Sequence, residues 1–160
     1  MAQLPPADAD RHWLLEAIEL SRRCPPSASA FSVGAVLVGA DGSVLGYGHS
    51  RERDPLDHAE EVALARAAEA GTASLAGATL YSSLEPCAAR ASRPVPCADL
   101  IISSGIDRVV IAWREPPIFV PGGGAVRLRK AGLSVAVVPE LAAAAKLVNA
   151  HLLGGLGLPA

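Results

Sequence analysis

The segment His58-Ala59-Glu60, followed by Pro86-Cys87 and Pro96-Cys97, offers one imidazole, two thiols and a carboxylate in a chain of 160 residues. Imidazole and thiolate are ligand types that zinc favours, and their number, three, is informative. Structural zinc sites close their tetrahedron with protein groups, whereas catalytic sites keep a position for water, whose pKa falls to roughly 7. His58, Cys87 and Cys97 are therefore read as the ligands of one Zn2+ per chain. Glu60 is then free to move protons rather than hold metal, and hydrolysis is the chemistry to expect.

That chemistry constrains the backbone. Residues two apart on a regular helix point to nearly opposite sides. His58 and Glu60 can serve one water only if His58 sits at a helix entry with nonhelical backbone, and Asp54-Pro55 suits a loop that delivers it there. The cysteines must bind as thiolates, which need local positive potential. Pro96 before Cys97 suits a helix start, where free N–H groups and the helix dipole favour an anion.

The positioning elements follow from periodicity. Trp13, Leu14, Ala17, Ile18 and Leu20 make one helical stripe over about 10–23, ended by a Pro- and Ser-rich loop. Residues 31–38 and 44–48 flank Asp41-Gly42 as a β-hairpin. A helix over 59–70 stops at Gly71, a strand covers 78–83, and a short helix over 98–104 ends before Gly105. Residues 108–113 form a nearly continuous apolar strand, the kind buried on both faces of a sheet. A helix over 122–130, a strand over 133–138 and one Ala-rich helix over about 140–153 complete the chain. The apolar side of that last helix suits packing against a neighbouring subunit. A hairpin followed by alternating helix and strand implies an α/β fold, with a mixed five-stranded sheet and helices on both faces, as a single domain over 1–160. The Pro- and Gly-rich segment 113–124 follows a buried strand at the edge where open α/β sheets bind ligands. It is a candidate substrate-covering loop.

At the metal-site residues the chain resembles the zinc-dependent cytidine deaminase superfamily, whose signature is His-x-Glu followed by Pro-Cys-x-x-Cys, with the Glu as general acid/base. Here nine residues, Ala88 to Pro96, separate the cysteines. That longer gap resembles the pyrimidine deaminase of riboflavin biosynthesis. The likeness is carried by Thr79-Leu-Tyr-Ser-Ser-Leu-Glu-Pro-Cys87, Arg93-Pro-Val-Pro-Cys-Ala-Asp99, Ile111-Ala-Trp-Arg-Glu-Pro-Pro117 and Arg127-Leu-Arg-Lys-Ala-Gly-Leu133. Phe31-Ser-Val-Gly-Ala-Val-Leu-Val38 and Gly48-His-Ser-Arg-Glu-Arg-Asp-Pro55 look more like nucleoside, nucleobase and tRNA adenosine deaminases. In those families an Asn commonly reads the substrate where Ser50 stands. In the riboflavin family a Pro-Asn-Pro segment stands where this chain has Ala30-Phe31-Ser32.

The resemblance covers about four fifths of the chain, from roughly Phe31 on. It implies a cytidine deaminase-like three-layer αβα sandwich. It also implies a hydrolytic deaminase releasing ammonia from a riboflavin-precursor-like aminopyrimidine, with Glu60 as proton shuttle. The alternative is a nucleoside or nucleobase deaminase. A noncatalytic zinc-stabilised interaction module is disfavoured by the retained Glu60 and the absent fourth ligand. Such deaminases are usually oligomeric, so a homo-oligomer, dimer or tetramer, is expected.

Substrate contacts are assigned to Phe31, Ser50, Arg90, Arg93 and Trp113. Arg90 and Arg93 lie in the insert between the cysteines, which faces the metal by covalent necessity, and they suit a phosphate or an acidic ring substituent. Glu85, beside Cys87, is read as an orienting or structural group, and His49 and Asp57 as solvated loop residues. The formal net charge of −2 argues against a nucleic-acid partner, since backbone binding draws on a basic patch. Hydrophobic residues at 51% and charged residues at 19% suit a packed core. No apolar run approaches the ~20 residues of a membrane span, and the N-terminus lacks a secretory pattern. With no disulfide framework among three cysteines, a cytoplasmic enzyme acting on a small molecule is expected.

Overall fold

Leu14, Ala17 and Ile18, spaced three and four apart, wind the first segment into α1 (Pro6–Ser21) and bury its inner face. The helix opens earlier than its apolar stripe suggests. Asp8 stands in the first turn, where an acid offsets the positive helix end. Asp10 turns inward instead: Arg108 grips its two oxygens at 2.7 Å each, and the Tyr81 hydroxyl donates to it at 3.1 Å. This buried cluster fastens α1 to the sheet. The structure, a computed structural model, describes residues 6–116 and 123–155. The middle of the candidate covering loop, 117–122, lies outside the described residues.

Strands β1 (Gly34–Val38) and β2 (Val44–His49) form the expected hairpin. Its turn rests on Gly42 at φ 84°, a conformation that favours glycine, and on Asp41 Oδ1, which accepts the Ser43 N–H at 3.0 Å. The chain then runs through α2 (Ala59–Glu69), β3 (Thr79–Leu84), α3 (Cys97–Ser104), β4 (Arg108–Trp113), α4 (Gly124–Lys130) and β5 (Ser134–Val137). The sheet order is β2-β1-β3-β4-β5, with β1 antiparallel to both neighbours and β3, β4 and β5 mutually parallel. Helices α1 and α5 (Ala142–Val148) pack on one face, and α2, α3 and α4 on the other. This is the mixed α/β sandwich expected from the element order. At Gly46 a Cβ would collide with the Ala63 carbonyl, so glycine is what lets α2 lie flat on β2 and aim its N-terminus at the end of β3. No helix among the described residues is long and apolar enough to cross a membrane.

The single terminal helix expected over 140–153 is instead three pieces: a 3-10 turn (Pro139–Leu141), α5 (Ala142–Val148) and α6 (Ala150–Gly155). The break is at Asn149, whose fully buried side chain leaves the helix to hold Ser32. Its Oδ1 accepts the Ser32 N–H at 2.7 Å, and its Nδ2 donates to Ser32 O at 3.1 Å and Ala145 O at 3.2 Å. Nor is the apolar side of this segment reserved for a neighbour. Leu141, Ala145, Leu152 and Leu153 are buried within the chain, and Leu147 alone among the apolar side chains of these helices is a large exposed one. Removing a buried acceptor leaves its donor unsatisfied at about 1–3 kcal/mol. Asn149→Ala is therefore expected to destabilise the fold by that amount, read as a lower midpoint of chemical unfolding. An unchanged midpoint would show that the Ser32 bonds contribute nothing net.

Candidate active site

His58 is the N-cap of α2, with extended backbone at φ −99°, ψ 153°. This is the helix-entry geometry that the two-residue spacing to Glu60 demands. Its N–H is taken by Glu61 Oε1 at 2.6 Å, so the carboxylate three residues on fixes the turn that presents the imidazole. Cys87 follows the end of β3, and Cys97 opens α3. The first amides of α3 land on Cys87: Cys97 N–H on its Sγ at 3.2 Å and Ala98 N–H on its carbonyl at 3.0 Å. One donor that a helix start leaves unpaired is thus spent on the sulfur that needs it, and the next on the same residue's carbonyl.

The three ligand atoms converge. His58 Nδ1 lies 3.6 Å from Cys87 Sγ and 3.4 Å from Cys97 Sγ, and all three lie within 4.8 Å of one another. Zn–S bonds of ~2.3 Å and Zn–N bonds of ~2.0–2.1 Å at tetrahedral angles separate nitrogen and sulfur by about 3.5–3.6 Å. The side chains fit that ion as they stand. Their proton chemistry agrees. The Cys87 thiol is drawn down to about 4, first by its bond from Cys97, while burial opposes and His58 assists. Cys97 is pushed up by that same partnership and by burial. The pair gives up one proton readily, and two thiolates this close call for a cation between them.

Glu60 is buried in the first turn of α2, and burial pushes its carboxyl up, with His58 opposing. Ser82 Oγ stands 3.0 Å from Glu60 Oε1 and 2.7 Å from Leu84 O. The hydroxyl can donate to an ionised Glu60. Rotated, it can accept from a protonated one while donating to Leu84 O. A single residue of β3 can thereby bond both protonation states of the Glu60 carboxyl. His58, Glu60 and Cys87 border a cavity of about 390 Å³.

The assigned substrate residues divide. Phe31, Ser50 and Arg90 line this cavity, whereas Arg93 and Trp113 are not in its described lining. Trp113 is buried behind Phe31, edge-on with ring centroids 5.4 Å apart. Ser50 Oγ is engaged by the Val33 N–H at 3.0 Å, extending the hairpin. Arg93 lies between Asp54 and Asp57, at 3.2 and 3.3 Å. Asp57 is not solvated: it is buried, and its Oδ2 accepts the N–H groups of Arg53 and Asp54 at 3.0 Å each, closing the loop before His58. His49 is half-buried, with Nε2 3.4 Å from Glu52 Oε1. Arg51 holds a positive φ of 57°, uncommon outside glycine. Its guanidinium staples the 25–32 loop through Pro25 O, Phe31 O and Ser32 Oγ.

Among the cavity residues that the sequence reading did not assign, Glu115 carries an ionisable group. Its carboxyl is pushed up to about 8 by burial and by the facing charges of Cys87, Glu60 and Glu85. The available signal was its place just beyond β4, the strand that runs parallel beside β3 and therefore ends level with it. Glu85 sets that position. Its Oε1 accepts the Glu115 N–H at 2.9 Å and its Oε2 the Ala125 N–H at 2.7 Å. At Gly124 a Cβ would collide with Pro86 O, so only glycine brings the start of α4 this close.

Residues 7–113 match the model for the cytidine and deoxycytidylate deaminase zinc-binding region. The chain is 40% identical over 142 residues to a diaminohydroxyphosphoribosylamino-pyrimidine deaminase of Schizosaccharomyces pombe, which is 82% of this chain and 35% of that protein. A protein of the same description from Buchnera aphidicola is 37% identical over 129 residues, 80% of this chain and 83% of its own length. A crystal structure from Thermotoga maritima, of a diaminohydroxyphosphoribosylaminopyrimidine deaminase/5-amino-6-(5-phosphoribosylamino)uracil reductase, superposes with a TM-score of 0.73 at 35% identity. That match covers 88% of this chain and 39% of the other. The chain spans about a third of the length of the curated relatives it first matches.

Glu85→Ala would leave two amides without their acceptor, at about 1–3 kcal/mol each. A lower unfolding midpoint with full zinc content is expected. Loss of zinc at unchanged stability would instead make Glu85 part of the metal centre.

Proposed function

Because the chain belongs to the family of the cytidine and deoxycytidylate deaminase zinc-binding region, we propose that it is a hydrolytic deaminase of a riboflavin-precursor-like aminopyrimidine, releasing ammonia. The observation that carries this is the buried Glu60 carboxylate beside three convergent ligand atoms on a cavity of about 390 Å³. The names of the relatives supply the substrate class.

His58, Cys87 and Cys97 would hold one Zn2+ per chain. When bound, zinc supplies the acidity that makes water a nucleophile near neutral pH. Glu60, anchored through Oε1 by Ser82, keeps Oε2 for the reaction. It takes a proton from water as the water oxygen attacks the amidine carbon, and hands that proton to the adjacent ring nitrogen. The remaining hydroxyl proton then passes through Glu60 to the amino group. The C–N bond breaks, a carbonyl forms and ammonia leaves. Phe31, backed by Trp113, offers a face for the ring, and Glu115 offers an acceptor for its N–H groups. Ser50 and Arg90 border the substrate, and Arg93 stands close by at the outer loop.

A second reading, a nucleoside or nucleobase deaminase, draws on one observation. The guanidinium groups of Arg51, Arg90 and Arg93 are all bonded to protein acceptors, which suits a substrate without phosphate. A cytoplasmic setting and a homo-oligomer complete the proposal. Exposed Val44 and Tyr47 on the edge strand β2 give the oligomer apolar surface, and sedimentation at the monomer mass would remove it.

Glu60→Gln is expected to keep zinc while turnover falls by about 10²–10⁴; metal analysis and ammonia release measure the two. Turnover within a factor of two of wild type would exclude Glu60 as the proton carrier. In a panel of the riboflavin precursor, cytosine, guanine, cytidine and deoxycytidylate, ammonia is expected from the first. Dominant release from a nucleoside or base would establish the second reading.

A further inference from the structure

Resting on the zinc-site reading above, we propose that Arg90 is a positioning residue of the metal centre: its guanidinium spans from the Cys97 sulfur to the Glu61 carboxylate that holds His58. Sequence alone suggested a substrate contact for it. The bonds it makes point elsewhere.

The Arg90 side chain is 1% exposed, and each of its nitrogens has a partner. Nε donates to Ser92 Oγ at 3.1 Å, which bends the insert back on itself. Nη2 donates to Leu56 O at 2.6 Å and to Glu61 Oε1 at 2.7 Å. Nη1 lies 4.0 Å from Cys97 Sγ. The Glu61 oxygen that Arg90 holds is the same oxygen that accepts the His58 N–H. Leu56 precedes His58 by two residues. One planar cation therefore reaches the sulfur of one ligand, the backbone just before another and the carboxylate that holds that second ligand's N–H.

Its electrostatics suit that place. Two thiolates and Zn2+ cancel, and Arg90 and Glu61 cancel beside them, so loss of Arg90 adds net negative charge next to the buried Glu60 carboxyl. Without Arg90, the Glu61 carboxylate keeps Arg93 Nε at 3.8 Å, and the cation that reaches both Glu61 and the Cys97 sulfur is lost. Arg is suited to this because its rigid fork addresses several acceptors at once, which an ammonium cannot. The nine-residue gap between the cysteines thereby acquires a use: it is long enough to fold Arg90 back over the metal ligands.

The test uses the zinc-loaded chain of 160 residues, with a competing chelator to measure zinc affinity and Co2+ as a spectroscopic probe. Loss of a group that orients metal ligands typically costs 10–100-fold in affinity, and Arg90→Gln is expected to weaken zinc by that factor. Its sulfur-to-cobalt charge-transfer band is expected at lower energy, because the Cys97 lone pairs lose a neighbouring cation. Arg90→Lys should fall between the two in both readouts. Arg53→Lys, a change in the preceding loop, should leave both at wild-type values. Wild-type affinity and an unmoved band in Arg90→Gln would overturn the proposal. So would an affinity loss that leaves the band in place, since a merely structural Arg90 would produce that. If Arg90→Gln does not fold, Arg90→Lys decides: at least a severalfold loss of zinc affinity relative to Arg53→Lys supports the role, and equal affinities refute it. A wild-type chain that binds no zinc would fail the zinc reading itself. A chain that binds zinc indifferently to Arg90 fails this inference alone.

Discussion

The arrangement depends on helix N-termini meeting at the C-terminal edge of a parallel strand pair. A helix start carries unpaired N–H groups that need an acceptor, and a buried thiolate is an acceptor that needs donors. Placing Cys97 at the first position of α3 and Cys87 beneath it satisfies both requirements with one contact. Bringing α2 in from the other side adds the imidazole. The sheet topology makes this possible, since β3 and β4 run parallel and end together, leaving one edge where loops from several elements can converge.

Around that contact, the loops before α2 and between the cysteines are held by charges rather than by apolar packing. Asp57 gathers the amides of its own loop, Glu61 holds His58, and Arg90 and Arg93 reach across from the insert to those acids. A loop of this kind has few side chains to bury, so its order comes from satisfied polar groups. Each anion is shared between a backbone amide and a guanidinium, which joins two loops far apart in sequence. The arginines of the insert are thus occupied in building the site, and Phe31 and Glu115 are left facing the cavity.

The opposite wall follows the same logic. Glu85, one strand-end away from Cys87, spends both oxygens on amides of the segment after β4 and at the start of α4. It thereby sets where Glu115 enters the cavity. Asn149 does the corresponding work for the loop leading into β1, fixing Ser32 beside Phe31. In each case a buried polar side chain at the edge of the core places a cavity residue by holding backbone amides, that of Glu115 itself and that of Ser32 next to Phe31.

The sequence by itself marked out a candidate ligand set and a candidate proton carrier, and it determined the order of elements. Metal affinity dictates residue type, the spacing of His58 and Glu60 dictates backbone form, and apolar periodicity reports which face of each element is buried. These are local properties, and a few neighbouring residues suffice to express them. What only the tertiary structure decided were the duties of residues whose partners lie far along the chain. Arg90 reads as a free cation until Glu61, 29 residues away, is seen beside it. Asp57 reads as solvated until Arg93 closes over it. Asn149 reads as one more helical residue until Ser32, 117 positions distant, takes its amide. A polar side chain is interpreted by what satisfies it, and in a folded chain that partner is chosen by topology rather than by sequence neighbourhood.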